Sequence, residues 1–582
     1  MGFLKFAKDK NYPLTIPEIL TRSAQLYHSR PSLTARDRPG DRTINYKGLY
    51  QEVLALACGL KTLGIKKGDR VAILGPNSPE WAKAYLATCF AGGVNVPIDS
   101  LLSDNEKGQL IARGNVKIAF VASRFLDVVL DLPKGFPAPS KIICLDYFAS
   151  SLPEGVMSFS QLIELGKKVK TNKLPKVEPN DVAAIIFTSG TTGVPKGVVL
   201  SHWNITSDCL ACSMAVPMEK ERFLSVLPLH HTFECTAGFL FPLLMGCHIT
   251  YARSLKSKYI LEDLKSCKAT VMLGVPLLFQ KMMEGIQRAV EKAPAPKKML
   301  FRVMWRAVLA GERIGKRDLG KALFKSMRQK AGLDHIKYFV SGGAPLPYYI
   351  PVFFKRLGVD MLQGYGLTET SPVLTINPPL APKNKSVGKP LPGVEVKVAH
   401  PDQDGVGELA FRGPMVMKGY LNDKKATEEV IDKEGWFYTG DLGFIDKDGY
   451  VYVCGRAKNL IVTAAGKNVY PEEIETLLNK SPYILESMVY GKRNDATGGE
   501  DVFAIVVPDF EIIAQKDKRA AKDDNALKKA ISIEIKRINK ELASYKRIKH
   551  FDIVNEELPK TSTKKIKRHL FNLEILKKKK VS

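Results

Sequence analysis

Residues Thr188–Gly197 read TSGTTGVPKG, and they directly follow the apolar run DVAAIIF at residues 181–187. A continuous apolar run of this length predicts a central strand covered on both faces. After it, three glycines let the backbone turn tightly and bring N–H groups close to an anion. Four hydroxyl groups can donate to phosphate oxygens, and Lys196 adds a full positive charge. The stretch therefore predicts a loop that holds the β- and γ-phosphates of a nucleotide, whereas a flexible linker would rarely follow a buried strand.

A Walker phosphate loop is excluded at two positions. The Walker pattern is G-x-x-x-x-G-K-[ST]. Counted from Gly190, the second glycine position holds Pro195, and the position of the magnesium-binding hydroxyl holds Gly197. The loop must use the same physics in another arrangement.

Length and composition predict a globular protein of several domains. At 582 residues the chain exceeds the size at which one core stops growing, so two or more domains are expected. Its 45% hydrophobic and 9% aromatic residues exclude a disordered or fibrous class. No stretch approaches the roughly 20 apolar residues of a membrane span. The opening MGFLKFAKDKNYPL lacks a signal-peptide run, and Phe6 stands where myristoylation would want Ser or Thr, so a cytoplasmic protein is expected.

The formal net charge of +27 predicts acidic partners. A phosphate-rich cofactor, an anionic membrane surface contacted peripherally, or an acidic carrier protein would each fit this charge. Nucleic acid is not expected, because no zinc-finger, RRM-like or bZIP pattern is present. Cys209 and Cys212 form a C-x-x-C in an apolar segment without a second pair, which favours two reduced core thiols over a zinc site.

The predicted pattern of strands and helices changes twice along the chain. Residues from about 70 to 345 alternate short apolar runs, such as RVAILG, with helix-like segments, such as PEWAKAYLATCFAGG, which predicts parallel sheets with helices on both faces. From about residue 386 the segments are short, β-rich and punctuated by Gly and Pro, which favours antiparallel sheet. Beyond residue 458, PEEIETLLNK starts a helix at Pro471 and DVFAIVVP predicts a strand.

Five further motifs follow in order along the chain. They are SGGAPLP (Ser341–Pro347), GYGLTETSP (Gly364–Pro372), GWFYTGDLG (Gly435–Gly443), GRAKNLIVTAAGKNVYPEEIE (Gly455–Glu475) and LPKTSTKKIKR (Leu558–Arg568). Together with the loop at residues 188–197, this series resembles the adenylate-forming enzymes, which include acyl-CoA synthetases, firefly-type luciferases and the adenylation domains of peptide synthetases. The resemblance extends from about Asp181 to Arg568, and compatible β/α alternation precedes it.

The resemblance implies an α/β fold. A large N-terminal AMP-binding domain (residues 1–457) would contain stacked, mostly parallel sheets with helices, and a small β-rich part at about 386–457. A small mobile α+β domain (458–582) would carry the catalytic lysine. ATP, Mg²⁺ and coenzyme A are the implied cofactors.

The resemblance also implies roles for individual residues. Thr368 would contact the α-phosphate and Glu369 would hold magnesium, for which oxygen ligands suit. Asp441 would bind both ribose hydroxyls, since a carboxylate accepts two hydrogen bonds at once. Arg456 would also reach the ribose. The implied phosphate-loop residues are Thr188, Ser189, Gly190, Thr191, Thr192 and Lys196. The segment Ser341–Pro347 resembles the one that lines the adenine pocket in the family, and its implied binding residues are Gly342, Gly343, Ala344 and Pro345. Gly364, Tyr365 and Gly366 belong to the second motif. Lys458 is the implied hinge, and Gly466 would face the pantetheine thiol.

Lys565 aligns with the family's catalytic lysine. The common pattern is P-K/R-T-x-x-G-K, and here Lys564 replaces its glycine. Lys560 and Lys564 are interpreted as solvated or phosphate-steering charges.

The segment LPLHHTFECTAGFLFPLLMG (Leu227–Gly246) resembles the family's acyl pocket and its gate. His231 aligns best with the gate, and His230 is the next candidate. His231 and Glu234, spaced i, i+3, are a weak metal pair because no third or fourth ligand is evident. The HHTFE form, with GKPLPG and TSTKKIKR, most resembles the branch that activates long-chain fatty acids.

The predicted function is ATP-dependent activation of a long-chain fatty acid to an acyl-adenylate with release of pyrophosphate, followed by transfer to CoA. One alternative delivers the acyl group to acyl carrier protein instead. A second alternative, from another class, is a non-catalytic protein that binds nucleotide or lipid. A luciferase-like oxygenase would share the adenylation step. The complete set of implied catalytic residues, including Lys196, Glu369 and Lys565, disfavours the non-catalytic alternative.

Overall fold

The computed structural model describes residues 12–36, 40–132, 137–146, 151–188, 195–216, 218–316, 318–496, 498–516, 523–561 and 566–571. The chain divides into two compact units. The large unit contains Met1–Glu395 and Phe411–Phe437, and the small unit contains Val396–Ala410 and Tyr438–Ser582. The domain boundary at residue 458 stays a prediction.

The described residues form the following strands: β1 Pro31–Arg36, β2 Asp41–Asn45, β3 Arg70–Leu74, β4 Val94–Ile98, β5 Val116–Val121, β6 Lys141–Cys144, β7 Val156–Ser158, β8 Val182–Thr188, β9 Lys196–Ser201, β10 Arg222–Ser225, β11 His248–Tyr251, β12 Val271–Gly274, β13 Tyr338–Ser341, β14 Asp360–Tyr365, β15 Thr375–Ile376, β16 Lys389–Pro390, β17 Glu395–Ala399, β18 Gly407–Arg412, β19 Gly419–Tyr420, β20 Phe437–Ile445, β21 Val451–Arg456, β22 Ile461–Val462, β23 Asn468–Val469, β24 Ile484–Asn494, β25 Gly499–Pro508 and β26 His550–Ile553.

The α-helices are α1 Ile16–Leu26, α2 Tyr46–Thr62, α3 Pro79–Phe90, α4 Asp104–Arg113, α5 Leu126–Leu130, α6 Phe159–Lys167, α7 His202–Ala215, α8 Phe241–Leu244, α9 Ser257–Ser266, α10 Pro276–Glu291, α11 Ala295–Arg313, α12 Leu319–Leu323, α13 Lys325–Lys330, α14 Tyr349–Arg356, α15 Lys424–Val430, α16 Pro471–Leu478, α17 Phe510–Lys516 and α18 Asp524–Asn539. A π-helix spans Phe233–Leu240.

Two large sheets organise the large unit. The eight-stranded sheet has the order β19-β9-β8-β4-β3-β5-β6-β7, and its pairs from β8 to β7 are parallel. The nine-stranded sheet has the order β16-β15-β14-β13-β12-β10-β11-β1-β2, and its pairs from β14 to β1 are parallel. The α/β fold with mostly parallel large sheets is confirmed.

The helix α3 is buried along its whole length. Its sequence is apolar on most sides, as expected for a helix with no solvent face. Two of its charged residues, Glu80 and Lys83, form an ion pair at 3.3 Å; Glu80 also accepts from Arg42, and Lys83 donates to Glu52. The buried charges are therefore paired, as their desolvation requires.

The small unit has its own hydrophobic core. A four-stranded sheet, β17-β18-β20-β21, precedes a three-stranded sheet in which β25 pairs antiparallel with β24 and parallel with β26. Pro471 occupies the first turn of α16, as predicted. Ile474, Val489, Val506 and Ile531 belong to the buried cluster between the sheet and its helices. This cluster gives the C-terminal domain a core separate from that of the large sheets.

Helices α2 and α6 approach each other at two glycines. A Cβ atom on Gly166 would lie 1.7 Å from the carbonyl oxygen of Ala55, and one on Gly59 would lie 2.6 Å from the carbonyl oxygen of Leu162. Both distances are far inside van der Waals contact, so the packing of α2 on α6 requires residues without side chains.

We expect Gly166→Ala to lower the free energy of unfolding by about 1–3 kcal/mol, because the added methyl group must push α2 and α6 apart. The control is Gly285→Ala in α10, where a Cβ would meet no atom of the described residues within 4 Å. That change should stabilise the protein by roughly 1 kcal/mol through helix propensity. Thermal unfolding of the two variants measures both effects; an unchanged Gly166→Ala protein would contradict the close packing.

Candidate active site

The predicted phosphate loop connects two antiparallel strands. Thr188 ends β8 and Lys196 begins β9, and these two residues are paired across the ladder. Thr188 donates from Oγ1 to the carbonyl oxygen of Lys196 at 3.5 Å. Of the predicted loop residues, Ser189, Gly190, Thr191 and Thr192 lie outside the described residues. A Walker loop leads into a helix, whereas this loop leads into a strand, which agrees with the failure of the Walker pattern.

Tyr420 connects Lys196 with Glu369. The Lys196 ammonium lies 4.8 Å from the centroid of the Tyr420 ring, within cation–π distance. The Tyr420 hydroxyl donates to Oε1 of Glu369 at 2.9 Å. Tyr420 reaches this position because β19 pairs with β9, where Tyr420 faces Val198. One aromatic side chain thus holds a cation on its face and a carboxylate at its hydroxyl.

Thr368 and Glu369 lie on a 3₁₀ turn after β14. Both side chains are half-buried. Thr370, the third residue of the turn, is buried and bonds through Oγ1 to the backbone of Leu367 and Pro372. A Cβ on Gly366 would lie 1.7 Å from the Pro372 carbonyl oxygen, so only glycine fits there. The buried side of the motif fixes the turn, and this fixes where Thr368 and Glu369 lie.

The predicted adenine segment begins at the carboxyl end of β13. Ser341, its first residue, is paired in register with Gln363 of β14. Ser341 Oγ and Gln363 Oε1 are both buried and have no hydrogen-bond partner among the described residues. Ligands of open α/β sheets bind at this end of the strands. Two neighbouring orphaned polar atoms fit a base that offers them hydrogen bonds.

The remaining residues of this region surround the same strand ends. Gly343 has a φ of +81°, and a Cβ there would meet Val275 at 3.9 Å. Ala344 is half-buried, and Pro345 is exposed. Gly364 and Tyr365 end β14 and pair with β15. A Cβ on Gly342 would lie 3.0 Å from the Phe233 ring, so the adenine segment and the predicted acyl segment meet there.

In the small unit, Asp441 and Arg456 face each other across β20 and β21. Arg456 Nε lies 2.7 Å from Asp441 Oδ1. The family resemblance implies that both residues reach a ribose, and the structure brings their side chains together within this unit. Lys458 follows on a 3₁₀ turn, where burial and the charges of Arg456 and Arg568 lower its pKa. Gly466, with φ +67°, ends the turn of the β22–β23 hairpin, and within the described ranges a Cβ there would meet nothing within 4 Å.

Lys565 lies outside the described residues, as does Lys564. Lys560 is described, and the structure corrects its interpretation as a solvated or phosphate-steering charge. Its ammonium forms an ion pair with Glu486 and a second one with Glu557 at 3.1 Å, in a half-buried position. Its positive charge is therefore engaged within the small unit.

The two histidines of the predicted gate meet a carboxylate that sequence analysis missed. His230 is buried, and its Nε2 lies 3.3 Å from Oδ1 of Asp99 without hydrogen-bond geometry. The ring centroids of His230 and His231 lie 4.3 Å apart. Among the described residues, Asp99, His230 and His231 form the group whose spacing suits a metal ion, and Glu234 does not belong to it. Asp99 follows the buried strand β4 directly, which is the sequence signal that could have indicated it.

Asn77 fixes the segment that carries the histidines. Its Nδ2 donates to the carbonyl oxygen of Leu227 at 2.6 Å, and its Oδ1 accepts from the N–H of Leu229 at 2.8 Å. These bonds satisfy the backbone on both sides of Pro228, just before His230. Asn77 lies about 150 residues earlier in the chain, so no local pattern indicates this contact.

Glu234 lies in the π-helix behind the histidines. Its side chain is 1% exposed, and neither carboxylate oxygen has a hydrogen-bond partner among the described residues. It packs against the backbone at Gly238, where a Cβ would lie 2.6 Å from Glu234 Cδ. Burial raises the pKa of Glu234 to about 8. The carboxyl group is therefore mostly protonated in the folded protein at neutral pH.

We expect Glu234→Gln to stabilise the protein more at pH 8.5 than at pH 5. Between about pH 4.5 and 8 the unfolded chain releases a proton that the folded chain keeps, so this group lowers stability as the pH rises. Glutamine cannot ionise, so the variant does not lose this stability as the pH rises. The exposed Glu154→Gln is the matched control. Melting temperatures across this pH range test the prediction, and a pH-independent difference between Glu234→Gln and the parent would contradict it.

Two family models match the chain. The model "AMP-binding enzyme" matches residues 20–421, and "AMP-binding enzyme C-terminal domain" matches residues 473–565. Human long-chain-fatty-acid–CoA ligase ACSBG2 is 32% identical over 504 residues, which cover 83% of this chain and 75% of that protein. The chloroplastic long-chain-fatty-acid–[acyl-carrier-protein] ligase AEE15 of Arabidopsis thaliana is 29% identical over 579 residues, covering 87% and 78%.

Solved structures with the same fold cover nearly the whole chain. ATP-bound MatB from Rhodopseudomonas palustris has a TM-score of 0.73 at 25% identity, with 95% of this chain and 98% of that chain covered. The motifs, the strand-to-strand phosphate loop and these matches agree, and the chain belongs to the AMP-binding enzyme family of adenylate-forming ligases.

Proposed function

We propose that this protein is an AMP-forming acid–thiol ligase that activates a long-chain fatty acid with ATP and transfers the acyl group to coenzyme A. The observation that carries the proposal is the arrangement of Lys196 and Glu369 around Tyr420 beside the phosphate loop. It provides a cation for phosphate oxygens and an oxygen ligand for a metal within one cluster. Similarity to long-chain-fatty-acid–CoA ligases supports the choice of acid.

The chemistry requires a better leaving group on the acid. A carboxylate is a poor electrophile because oxide would have to leave. Attack of the carboxylate on the α-phosphate of ATP expels pyrophosphate and gives a mixed anhydride with AMP, which leaves readily when a thiol attacks. No side chain need become a covalent nucleophile, so the protein contributes position and charge.

The large unit would bind the nucleotide and cancel the repulsion between the two anions. Lys196 would neutralise the β- and γ-phosphates, and Thr368 would donate to the α-phosphate. Ser341 and Gln363 offer the base two buried atoms that have no hydrogen-bond partner in the described part of the chain. The half-buried carboxylate of Glu369 fits Mg²⁺, which prefers oxygen ligands and phosphates. When bound there, the ion would supply further positive charge at the phosphates.

The small unit would serve the two half-reactions with different faces. Asp441 and Arg456 would hold the ribose, and Lys565 would contact the oxygens of the substrate during adenylation. Rotation about Lys458 would then bring the turn at Gly466 to the pantetheine thiol. Domain closure and re-closure of this kind lets one site perform two steps. These assignments rest on family resemblance.

His231 would form the gate of the acyl pocket, and Asp99 and His230 would position it. The ring of His230 packs on that of His231, and Asp99 lies beside Nε2 of His230. Asn77 holds the same segment through two backbone bonds.

Acyl carrier protein is a second candidate acceptor. A relative of nearly full length is named as an acyl-carrier-protein ligase. Carrier proteins of this kind are acidic, and the +27 charge would suit one as well as it suits the phosphates of CoA. Both acceptors carry the same pantetheine thiol, so the adenylation step is unchanged.

The purified protein should convert ATP to AMP and pyrophosphate only when Mg²⁺ and a fatty acid are present, and should form acyl-CoA when CoA is added. A panel of saturated acids from about 4 to 20 carbons would show a maximum at long chains. If acyl-adenylate forms but acyl-CoA does not, acyl carrier protein becomes the proposed acceptor, and it is added in place of CoA. Production of ADP, or no acid-dependent turnover with either acceptor, would contradict the proposed function.

Lys565→Ala should lower the rate of adenylation by about a hundredfold or more, because it removes preorganised positive charge from the reacting oxygens. Transfer from supplied acyl-adenylate to CoA should change little, since Lys565 acts in the first half-reaction alone. The matched control is Lys564→Ala, which removes the same charge one residue away. Equal losses for the two variants, or loss of the thioester step with Lys565→Ala, would count against the assignment.

A further inference from the structure

The helix α11 exposes an apolar strip to solvent. Met299, Leu300, Val303 and Ile314 are 68%, 57%, 55% and 71% exposed. Met299 and Val303 are four residues apart and lie on one face of the helix, with Leu300 at its edge, and Ile314 directly follows the last helical residue. Large exposed side chains that line up in this way differ from the isolated apolar residues of an ordinary surface.

The opposite face of α11 already packs against the core. Val308 and Gly311 are buried, and Phe301, Met304 and Trp305 pack against the cluster beneath the nine-stranded sheet. The strip is therefore not the core-facing side of a misplaced helix. A helix that is apolar on two sides needs a second apolar environment.

Three arginines border the strip. Arg302, Arg306 and Arg313 are exposed, and their spacing of four and seven residues places them together along one edge of the strip. No ion pair within the described part of the chain involves any of the three. Glu312, the one acidic residue in the helix, pairs with Arg356 at 3.0 Å instead.

The sequence around α11 is strongly basic. Residues 292–330 contain twelve Lys or Arg and two acidic residues, Glu312 and Asp318. Lys316, Lys321 and Lys325 are exposed after the end of α11. A second copy of this chain would bring like charges together at a two-fold interface, which disfavours self-association through this face.

We propose that the exposed face of α11 docks the protein on an anionic lipid bilayer. Its apolar side chains would enter the boundary between headgroups and acyl chains, while its arginines bind lipid phosphates. The helix has 19 residues, a length of about 28 Å. None of the helices in the described ranges is both long and apolar enough to cross a bilayer, so α11 would lie along the surface. Docking would hold the large unit at the phase in which a long-chain fatty acid dissolves, a consequence that rests on the proposed function.

Vesicle flotation tests the docking without ATP or fatty acid, so its result does not depend on the proposed function. The wild-type chain should float with phosphatidylcholine vesicles containing about 30% phosphatidylserine and not with phosphatidylcholine alone. About 0.5 M NaCl should weaken the binding, because salt screens exposed charges. Equal binding to both vesicle types, or no binding to either, would overturn the proposal.

Two sets of variants locate the surface. Met299→Asp with Val303→Asp should abolish flotation, whereas Leu380→Asp, at a leucine 95% exposed elsewhere on the large unit, should not. Arg302→Gln, Arg306→Gln and Arg313→Gln together should weaken binding about a hundredfold, at roughly fivefold per charge. Lys168→Gln, Lys173→Gln and Lys433→Gln remove the same net charge from other exposed positions and should have a smaller effect. Binding unaffected by the α11 variants would overturn the proposal.

Two further measurements separate lipid docking from its rivals. Melting temperatures close to the parent value show that the variants fold, so that their loss of flotation reports on the surface. Light scattering after gel filtration gives the oligomeric state without lipid. A wild-type oligomer that Met299→Asp with Val303→Asp converts to monomer would identify α11 as a subunit interface and overturn the assignment to lipid.

Discussion

The candidate site depends on one reversal of strand direction. In the eight-stranded sheet the pairs from β8 to β7 are parallel, but β9 returns antiparallel to β8 directly after the phosphate loop. The reversal places Lys196 opposite Thr188 and next to β19. Since β19 carries Tyr420, the same hairpin brings the lysine to the ring of the tyrosine whose hydroxyl donates to Glu369. If β9 were replaced by a helix, as after a Walker loop, this cluster could not form.

Buried polar groups without partners occur repeatedly near the proposed substrates. Ser341 Oγ, Gln363 Oε1, His230 Nε2 and both oxygens of Glu234 have no hydrogen bond among the described residues. Each such atom costs roughly 1–3 kcal/mol of stability, so a protein keeps few of them without a use. At Ser341 and Gln363 a nucleotide base would recover part of the cost. These unpaired atoms lower the free energy of unfolding of the unliganded protein, a loss of stability that is common at functional sites.

The large unit also exposes apolar side chains to solvent, which is unfavourable just as burying unpaired polar atoms is. The helix α11 uses one face to complete the core and leaves Met299 and Val303 in solvent, and Ile314, directly after its end, is exposed as well. Exposing them gains nothing for folding, and the arginines beside them form no ion pair with any described residue. An anionic lipid bilayer would relieve both effects, because its acyl chains would cover the apolar side chains and its headgroups would pair with the arginines. The proposed membrane lipid and the proposed fatty-acid substrate would then be alike, because each joins an anionic head to a long apolar chain.

The sequence by itself determined the elements that depend on local pattern. The apolar run at 181–187 became β8, the segment from Pro79 became α3, and Pro471 begins α16. The ordered motifs also identified the family and the alternation predicted its sheets, because both are properties of neighbouring residues. Lys565 and most of the phosphate loop stay sequence predictions, since they lie outside the described residues.

Only the tertiary structure decided which distant residues meet. Tyr420 reaches Glu369 from 51 residues away, and Asn77 reaches the histidine segment from about 150. Asp99 was missed, and Lys560 was misjudged, because its charge looks solvated until Glu486 and Glu557 are folded against it. Burial likewise decided the protonation of Glu234, as desolvation is set by whatever surrounds the group in space. Contacts, burial and charge balance depend on the path of the whole chain, and no short stretch encodes them.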